Sequence, residues 1–464
     1  MVTAVVEAVY RFLWGDLFTI PLGNGNGIGI PLLVLLLIPT GVYFTIRTRF
    51  LPIRLFPDMI RALNGKKQEE GGLSPIQTLF VSTATRVGMG NLVGVVAAIS
   101  AGGAGAVFWM WLSAALGAST AFVEAALAQL YKEKDPLYGG YHGGPAYYIH
   151  SYAERVRKKK LKCSVIAVLF ALSGLICWGG ISQVISNSVA SAFENAFRNF
   201  AARDDGSPRR DLCGDRYEKE RYGPRPLTVI VPTYGGLLFV ITCYSIATHL
   251  SSVPGVFARI FAEAFGLRQI AAGGFGAVLM NGVKRGLFSN EAGSGSAPCA
   301  AAAADESDPV KVGLVQALGV FIDTIVICSC TAMIMLLVPE ELTMGLAGMD
   351  LLQKVMSYYM GEFGVVFIAI TLALFSFSTF LGILFYARSN VAYLFGNRWC
   401  YQTLYKIFAL IMLFVGGLQA YTVVWDLGDV GVGLMTVFNL MVLFPLSGEA
   451  LRALREYEEK KKMK

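Results

Sequence analysis

The sequence predicts an all-α polytopic membrane protein, and its composition, hydropathy and series of apolar segments support this class. Of the 464 residues, 55% are hydrophobic and 15% are charged, and the mean hydropathy is +0.56. Soluble domains carry roughly 25% charged residues. Apolar windows of about 20 residues, enough to cross a bilayer, follow one another almost continuously, so we expect a single transmembrane domain over residues 1–464. The windows lie at 28–46, 76–101, 106–131, 164–192, 228–250, 270–304, 312–338, 363–386, 403–424 and 429–447.

The distribution of Lys and Arg predicts which loops are cytoplasmic. Positive residues dominate the loop after window 28–46, the loop after window 106–131 and the tail 451–464, and loops of this kind stay on the cytoplasmic side. The net charge of +7 therefore indicates cytoplasmic loops rather than binding to nucleic acid. Residues 1–10 have no positive residue and no small-residue cleavage signature, so we expect no removable signal peptide.

One polar segment interrupts the series of windows. Counting crossings forward leaves the chain outside after residue 192, whereas counting back from the cytoplasmic tail places the start of window 228–250 inside. The two counts differ by one crossing. The polar insert 193–227 between them is rich in Arg, Asp and Glu, and each central charge costs about 2.5–3.5 kcal/mol in a membrane. Either one helix is absent here, or one window is wrongly drawn, or one element is re-entrant.

Window 76–101 is interrupted in its middle by Gly88, Gly90, Asn91 and Gly94. Glycine is a poor helix former, and Asn competes with the helix for backbone partners. Backbone that loses its helical hydrogen bonds at membrane depth is tolerated only where protein or a watery cavity satisfies it. A broken helix therefore indicates a binding site. The alternative is that the glycines only let another helix pack closely.

Window 270–304 is interrupted by the Gly- and Ser-rich stretch 282–298, which also contains Lys284, Arg285 and Glu291. Ionisable residues within a membrane segment mark function or an internal ion pair, and both alternatives stay open. Two Gly-interrupted segments in corresponding places of two halves are typical of transporters built from inverted repeats. With one helix restored in 193–227, the interruptions lie five helices apart, which is the offset of a five-plus-five repeat.

Residue patterns typical of enzymes and metal centres are missing from the sequence. The eight Cys residues include no Cys-x-x-Cys pair, so they predict no metal site. His142, His150 and His249 are isolated, which favours structural roles. We also find no nucleophile–His–acid set and no phosphate-binding loop, and we therefore expect no enzymatic activity.

Four segments give the sequence its resemblance to a known family. They are GMGNLVG at 88–94, GAVFWMW at 105–111, GGPAYY at 143–148 and GLFSNEAG at 286–293. They resemble the alanine or glycine:cation symporter family over most of the chain. The resemblance implies a five-plus-five inverted-repeat amino-acid symporter fold with an extra N-terminal helix. It also implies import of alanine or glycine with sodium, at the plasma membrane (the bacterial inner membrane), with sodium as coupling ion and no other cofactor.

The resemblance also implies a substrate site at the two interruptions. The backbone N–H groups of Met89 and Gly90 would hold the substrate carboxylate, as helix ends favour anions, and Asn91 would steady the same group or a cation. The amino group and small side chain would face the second interruption, and two polar residues of window 164–192 would complete the pocket or else only join helices by hydrogen bonds. The substrate set is Gly88, Met89, Gly90, Asn91, Gln183, Asn187, Phe288, Ser289 and Asn290.

A sodium site is implied where window 363–386 faces the first interruption. Carbonyl and hydroxyl oxygens form the shell that hard cations prefer, although Ser and Thr hydroxyls also bond to the preceding turn of their own helix. The sodium set is Ala84, Val87, Phe375, Ser378 and Thr379. Asp323 and Glu291 are candidates for coupling, and Asp323 would serve coupling, protonation or helix pairing.

The sequence departs from the family pattern in two places. Met89 stands where members usually have Thr, so a hydroxyl near the pocket is lost. The polar insert 193–227 stands where the family has an apolar crossing helix, so the resemblance and the charge count both indicate one absent crossing. The alternative to a sodium-coupled symporter is thus a non-transporting relic or sensor of the same fold.

Overall fold

Helices make up nearly all of the computed structural model, which describes residues 2–21, 27–65, 73–201, 225–265, 274–419 and 421–463. The first group of helices is α1 (Val2–Trp14), α2 (Leu32–Arg47), α3 (Leu51–Arg54), α4 (Phe56–Ala62), α5 (Pro75–Thr85), α6 (Val95–Gly102), α7 (Gly105–Leu130), α8 (Pro145–Arg157) and α9 (Val165–Ala201). The second group is α10 (Arg225–Thr248), α11 (Val253–Phe265), α12 (Phe275–Asn290), α13 (Ala297–Ala301), α14 (Pro309–Val320), α15 (Ser329–Leu336), α16 (Gly348–Phe395), α17 (Trp399–Gly416) and α18 (Tyr421–Lys462).

Shorter elements join these helices. Two π-helical segments are π1 (Arg86–Gly94) and π2 (Phe321–Cys328), and two 3₁₀ turns cover Leu250–Ser252 and Glu340–Leu342. The antiparallel strand pairs are β1 (Asp16–Pro21) with β2 (Gly27–Pro31), and β3 (Glu133–Lys134) with β4 (Tyr141–His142).

The predicted polytopic membrane architecture is confirmed. In the described ranges seven helices are long and apolar enough to cross a membrane, or up to eight if the bent pair around residue 249 is one span. That pair turns by 85°. Helix α2, from window 28–46, has only 16 residues. The five-plus-five arrangement with an extra N-terminal helix stays an expectation.

The first interruption does not split its helix as predicted. Helix α5 begins in a capping box of Ser74 and Gln77, and α5, π1 and α6 follow without a gap. The glycines and Asn91 weaken the α-helix, but the segment is buried, so its backbone groups have to stay paired within the chain. The result is a local widening to the π-helix, a form often found at functional sites. The prediction of two free half-helix ends here was wrong.

The second interruption is a true break. Helix α12 ends at Asn290, and Glu291 has a left-handed backbone with a φ of 58°. Gly293 and Gly295 also have positive φ values, of 94° and 81°, which glycine adopts at little cost. The helix resumes at Ala297 as α13. The peptide groups between them are therefore free to bond with side chains.

Helices α9 and α10 run in the same direction. Asn195, near the end of α9, donates a hydrogen bond of 2.6 Å to Asp350 of α16. His249, directly after α10, contacts the hydroxyl of Tyr358 of α16 at 3.1 Å. Both helices thus end beside the first part of α16. Since α10 has 24 residues, about 36 Å at 1.5 Å per residue, it begins at the opposite end of the bundle.

The parallel direction of α9 and α10 agrees with the charge counts, which differ by one membrane crossing between these two helices. Most of the predicted polar insert, residues 202–224, lies outside the described residues. The two ends of that insert, 193–201 and 225–227, belong to α9 and α10.

Candidate functional site

The two interruptions meet at Gly90. A Cβ atom added to Gly90 would lie 3.4 Å from the Cα of Ser289 and 3.7 Å from the carbonyl oxygen of Phe288. A Cβ on Gly94 would lie 3.8 Å from the Phe288 ring. Glycine therefore lets π1 lie directly against the end of α12. The structure brings together Gly90, Phe288 and Ser289, as the resemblance implied.

A buried carboxylate joins these two segments. Asp323 lies in π2, and its Oδ1 accepts a hydrogen bond of 2.9 Å from Nδ2 of Asn91. Its Oδ2 accepts hydrogen bonds from Ser289 Oγ at 2.7 Å and from Thr324 Oγ1 at 2.9 Å. All four side chains are buried. Asp323 is therefore at the point where π1, α12 and π2 converge.

The predicted sodium set lies between α5, π1 and α16. Thr379 Oγ1 donates to the carbonyl of Ala84 at 3.2 Å and lies 3.5 Å from the backbone N of Met89. Ser378 Oγ donates to the carbonyl of Phe375 at 2.7 Å, which is bonding to its own helix. Thr379 thus bridges two helices, whereas Ser378 shows the local alternative.

Gly88 of the predicted substrate set lies against the same cluster. A Cβ on Gly88 would lie 2.2 Å from Thr379 Oγ1, so the hydroxyl fills the space that glycine leaves. Val87 belongs to π1 beside it.

Glu291 forms a buried ion pair beside the break. The Nε atom of Arg86 lies 3.8 Å from Glu291 Oε2, and the Tyr386 hydroxyl donates to the same oxygen at 3.0 Å. Thr85 Oγ1 lies 2.6 Å from that hydroxyl. The internal ion pair, one of the two alternatives for Glu291, is thus present and joins π1, the break and α16.

Sequence reasoning missed the side chains that hold the broken peptide. Glu124 Oε2 accepts a hydrogen bond of 3.0 Å from the backbone N–H of Gly293. Asn439 donates to the carbonyl of Gly293 at 3.0 Å and to Glu124, and the Tyr148 hydroxyl donates to Asn439. A usable signal was Glu124 itself, since an ionisable residue within an apolar window marks a functional position by default.

A second group closes α12 against α18, and the sequence had singled out its Lys284 and Arg285 but not their partners. Arg285 pairs with Asp429 through two hydrogen bonds, of 3.2 and 2.9 Å, and Lys284 lies 3.2 Å from the same carboxylate. The guanidinium carbon of Arg285 lies 3.9 Å from the ring centre of Trp425, and that ring is 5.0 Å from the ring of Phe288. Through Trp425 this cap therefore contacts Phe288 of the predicted substrate set.

The N-terminal helix is tied to the same cap. Trp14 Nε1 donates to the backbone oxygen of Asp429 at 3.0 Å, and Lys284 Nζ donates to the hydroxyl of Tyr10 at 2.9 Å. Helix α1 therefore contacts both members of the Lys284–Asp429 pair.

Two predicted substrate residues bond away from the meeting point of the interruptions, and a third lines a cavity. Gln183 Nε2 lies 3.7 Å from Met412 Sδ, and Asn187 Nδ2 donates to the carbonyls of Gly416 and Gln419 at 3.3 and 2.8 Å. These contacts join α9 to the end of α17, which is the helix-joining alternative. Asn290 lines a cavity of about 20 Å³ between α2, α7 and α12.

A charged cluster joins the loop after α7 to Arg388 of α16. His142 Nδ1 is 3.4 Å from Asp135 Oδ2, and Arg388 Nε is 3.8 Å from the same oxygen. Burial alone would raise the pKa of Asp135, but hydrogen bonds from His142 and backbone N–H groups, with the Arg388 charge, lower it to about 2. Burial lowers the pKa of His142, but its carboxylate partners raise it above the usual value overall.

Three features define the class of this protein: apolar spans, irregular segments of which two are π-helical and one is broken, and buried charges where these segments meet. Irregular backbone that lines a polar centre at membrane depth is the construction of secondary transporters. The chain is a polytopic membrane transporter.

A family model described as the sodium:alanine symporter family matches residues 20–203 and 225–464. The chain therefore belongs to this family, and the predicted resemblance is confirmed. The family consists of symporters rather than enzymes. The protein is accordingly an integral, multi-pass membrane protein of amino-acid and sodium symport.

Named relatives are similar over nearly the whole chain. The probable sodium/glutamine symporter GlnT of Bacillus subtilis is 39% identical, covering 93% of this chain and 88% of the relative. The amino-acid carrier protein AlsT of Bacillus subtilis is 36% identical, covering 92% of this chain and 89% of the relative. The sodium/alanine symporter AgcS of Methanococcus maripaludis is 31% identical, covering 99% and 98%.

One solved structure is distantly similar to this chain. A mutant of the manganese transporter of Eremococcus coleocola superposes with a TM-score of 0.47 at 13% identity, covering 84% of this chain and 81% of that chain.

Proposed function

We propose that this protein is a sodium-coupled symporter that imports alanine or glycine across the plasma membrane by alternating access. In bacteria this is the inner membrane. The observation that carries the proposal is the meeting of π1 and α12 at Gly90 and Ser289, beside the buried carboxylate of Asp323. Family membership supports coupling to sodium. In a coupled symporter, linkage requires that substrate and ion each raise the affinity for the other.

Substrate size follows from the tight contact at Gly90. A Cβ placed there is already at 3.4 Å from Ser289, which is ordinary van der Waals contact. Any substrate that enters between π1 and α12 has to separate them, and a small side chain requires the least separation. We therefore favour alanine or glycine over the glutamine named for one relative.

The resemblance to the family suggests a role for each site residue. Met89 and Gly90 would face the substrate carboxylate, and Phe288 and Ser289 would face its ammonium and side chain. The oxygens of Ala84, Phe375, Ser378 and Thr379, with Val87, would hold sodium. Gln183 and Asn187 would act on the pocket only from its margin, since their hydrogen bonds run to α17. Asn290, whose Oδ1 accepts from the backbone N–H of Ala292, would support the break.

The test is uptake into proteoliposomes. Vesicles containing the full chain and no sodium receive labelled alanine with an inward sodium gradient, and matched vesicles receive an equal potassium gradient. We expect accumulation only with sodium, and excess unlabelled glycine should compete better than glutamine. Uptake equal to empty vesicles would reject the proposal, and better competition by glutamine would reject the size argument.

The second candidate is a non-transporting relic or sensor of the same fold. It is favoured by the parallel direction of α9 and α10 and by the interruption of the family match between residues 203 and 225. Equilibrium binding of labelled alanine to the purified chain separates the two. Sodium-dependent binding without uptake would support the relic.

A further inference from the structure

We propose that Arg86 and Glu291 form a second amino-acid position, on the route from the substrate site to the side predicted to be cytoplasmic. There the guanidinium of Arg86 would bind the carboxylate of the substrate, and the carboxylate of Glu291 would bind its ammonium group. In the present structure the two side chains pair with each other instead. This inference rests on the proposed import of a small amino acid and adds a release step to it.

Both residues lie on the same side of the contact between Gly90 and Ser289. Arg86 precedes Gly90 by four residues, about one helical turn, and Glu291 follows Ser289 by two. Helix α5, which leads into Arg86, begins at Pro75, after the positive loop that is predicted to be cytoplasmic. The pair therefore lies about one turn from the substrate site, in the direction of the cytoplasm.

The guanidinium of Arg86 is the observation that points to a ligand. Arg86 is fully buried, and its Nε, Nη1 and Nη2 have no hydrogen-bond partner within the described ranges of the chain. Its ion pair with Glu291 spans 3.8 Å, whereas charge-assisted hydrogen bonds measure about 2.7–2.9 Å. Buried donors without acceptors are unfavourable, and a guanidinium can bind a carboxylate through two parallel hydrogen bonds. Arg86 therefore provides an unfilled site for a carboxylate.

Glu291 provides the complementary acceptor. Its Oε2 accepts a hydrogen bond of 3.0 Å from the Tyr386 hydroxyl, and a carboxylate has about four acceptor positions, so an ammonium group can still bind. The backbone of Glu291 is left-handed, with a φ of 58°, which is uncommon for a residue other than glycine. Gly293 and Gly295 follow in the break. The side chain of Glu291 can therefore move without the loss of helical hydrogen bonds.

Exchange of the ion pair for a substrate preserves electrical neutrality. Arg86 and Glu291 carry one charge of each sign, and so does a zwitterionic amino acid. Separation of the pair without a ligand would leave two buried charges uncompensated, which is strongly unfavourable. An amino acid between them needs two hydrogen bonds of about 2.8 Å in series, so the pair has to open to bind it. The substrate would therefore favour opening towards the cytoplasm, and the empty protein would stay closed.

A polar side chain of α14 lies further along the same route. A Cβ on Gly319 would lie 2.9 Å from Nη1 of Arg86, and Gln316 is one turn earlier on the same face of α14. Both polar atoms of the Gln316 side chain are buried and have no hydrogen-bond partner in the part of the chain that the structure describes. Lys132, in a loop predicted to be cytoplasmic, donates to the carbonyl of Ala304 just before α14. The unmet polar groups therefore continue from Arg86 towards the cytoplasm.

Inhibition from the cytoplasmic side tests the pair by charge. Inverted membrane vesicles from cells that express the full chain expose the cytoplasmic face, and right-side-out vesicles expose the opposite face. Uptake of labelled alanine with an inward sodium gradient is measured in both. The unlabelled inhibitors are alanine, alaninamide, which lacks the carboxylate, and lactate, which has a hydroxyl in place of the ammonium group.

The two neutral variants should shift the inhibitor preference in opposite directions. Arg86→Gln leaves Glu291 unpaired, so alaninamide should gain about 10-fold relative to alanine from the cytoplasmic face. Glu291→Gln leaves Arg86 unpaired, so lactate should gain by a similar factor. Inhibition from the opposite face should keep the wild-type order. An unchanged order from the cytoplasmic face in both variants would overturn the proposal and assign the nitrogens of Arg86 to ordered water.

A matched variant removes a buried ion pair on the other side of Ser289. Arg285 precedes Ser289 in α12 and pairs with Asp429, so Arg285→Gln should leave the inhibitor order at the cytoplasmic face unchanged. A shift towards alaninamide as large as that of Arg86→Gln would show a general effect of charge and would overturn the assignment to Arg86.

A variant that keeps the charge guards against misfolding. Arg86→Lys retains the ion pair but loses the two parallel hydrogen bonds. The half-saturating alanine concentration should rise about 10-fold from the cytoplasmic face and stay the same from the opposite face. Wild-type values from both faces would contradict the proposed role of the guanidinium.

Thermal stability of the purified full chain separates this outcome from that of the proposed function. A ligand that binds the folded state raises the melting temperature, so alaninamide should stabilise Arg86→Gln more than it stabilises the wild type. Absence of alanine uptake by the wild type, together with this stabilisation, would reject transport and retain the pair. Uptake by the wild type with equal stabilisation of both proteins by alaninamide would reject the pair alone.

Discussion

A methyl group at Gly88 should block the sodium cluster between π1 and α16. The Cβ of Gly88→Ala would lie 2.2 Å from Thr379 Oγ1 and 3.4 Å from the carbonyl oxygen of Phe375. Carbon and oxygen cannot approach to 2.2 Å, so the hydroxyl must turn away from the carbonyl of Ala84, to which it now donates at 3.2 Å. The cluster then loses its one hydroxyl that bridges two helices.

The size of the effect follows from the interaction lost. A hydrogen bond or ligand contact to a charged group contributes about 1.5–3 kcal/mol. We therefore expect the half-saturating sodium concentration for alanine uptake to rise about 10- to 100-fold. Alanine is a better helix former than glycine by about 1 kcal/mol, so a loss of helix propensity does not explain a weaker sodium response.

Two matched variants isolate the cause. Gly90→Ala lies in the same segment, and its Cβ meets nothing closer than 3.4 Å. At saturating alanine, its half-saturating sodium concentration should therefore match that of the wild type. In the double variant Gly88→Ala with Thr379→Ala the 2.2 Å clash is absent, and the nearest remaining contact is the carbonyl oxygen of Phe375 at 3.4 Å. Its thermal stability should recover, but its sodium response should not. A wild-type sodium response in Gly88→Ala would refute the placement of Thr379 as a sodium ligand.

Three further perturbations test other parts of the structure. Asp429→Asn leaves the buried guanidinium of Arg285 without its counter-charge and should cost about 3–5 kcal/mol of stability, seen as a lower melting temperature; an unchanged value would contradict the ion pair. Glu124→Gln keeps an oxygen that accepts from the Gly293 N–H, but its new NH₂ group faces the NH₂ group of Asn439, and neither can accept a hydrogen bond. Alanine uptake should therefore fall, while size-exclusion chromatography should show a folded protein. His142→Gln should lower the melting temperature at pH 6, and the difference from the wild type should shrink towards pH 9. The pKa of His142 is raised in the folded state, so its stabilisation is present below the unfolded value of about 6.5 and lost as the pH rises through the folded value. A constant difference would exclude this titration.

The sequence located the interrupted segments but misjudged the form of the first. Gly88 and Gly90 correctly marked an irregular helix, yet nothing local distinguishes a widened π-helix from a broken one. The choice depends on whether side chains elsewhere satisfy the freed backbone groups. At Gly293 two side chains from distant helices, Glu124 and Asn439, do so, and there the helix breaks.

Partners across the fold were beyond local reasoning. Gln183 and Asn187 were predicted either to complete the pocket or to join helices, and the choice depends on how α17 packs against α9. Asp323 was recognised as a buried carboxylate, whereas its bonds to Asn91 and Ser289 needed three separate segments in place.

By itself the sequence determined that this is a membrane protein, which loops carry the positive charge and which family it belongs to. The first two properties follow from composition, because each charged residue adds its own unfavourable free energy of transfer into lipid. The family follows from short sequence segments. Only the tertiary structure decided which buried charges face one another, as Arg86 with Glu291 and Arg285 with Asp429. Electrostatic pairing in a low-dielectric interior depends on distances between helices, and those distances are set by the packing of the whole bundle.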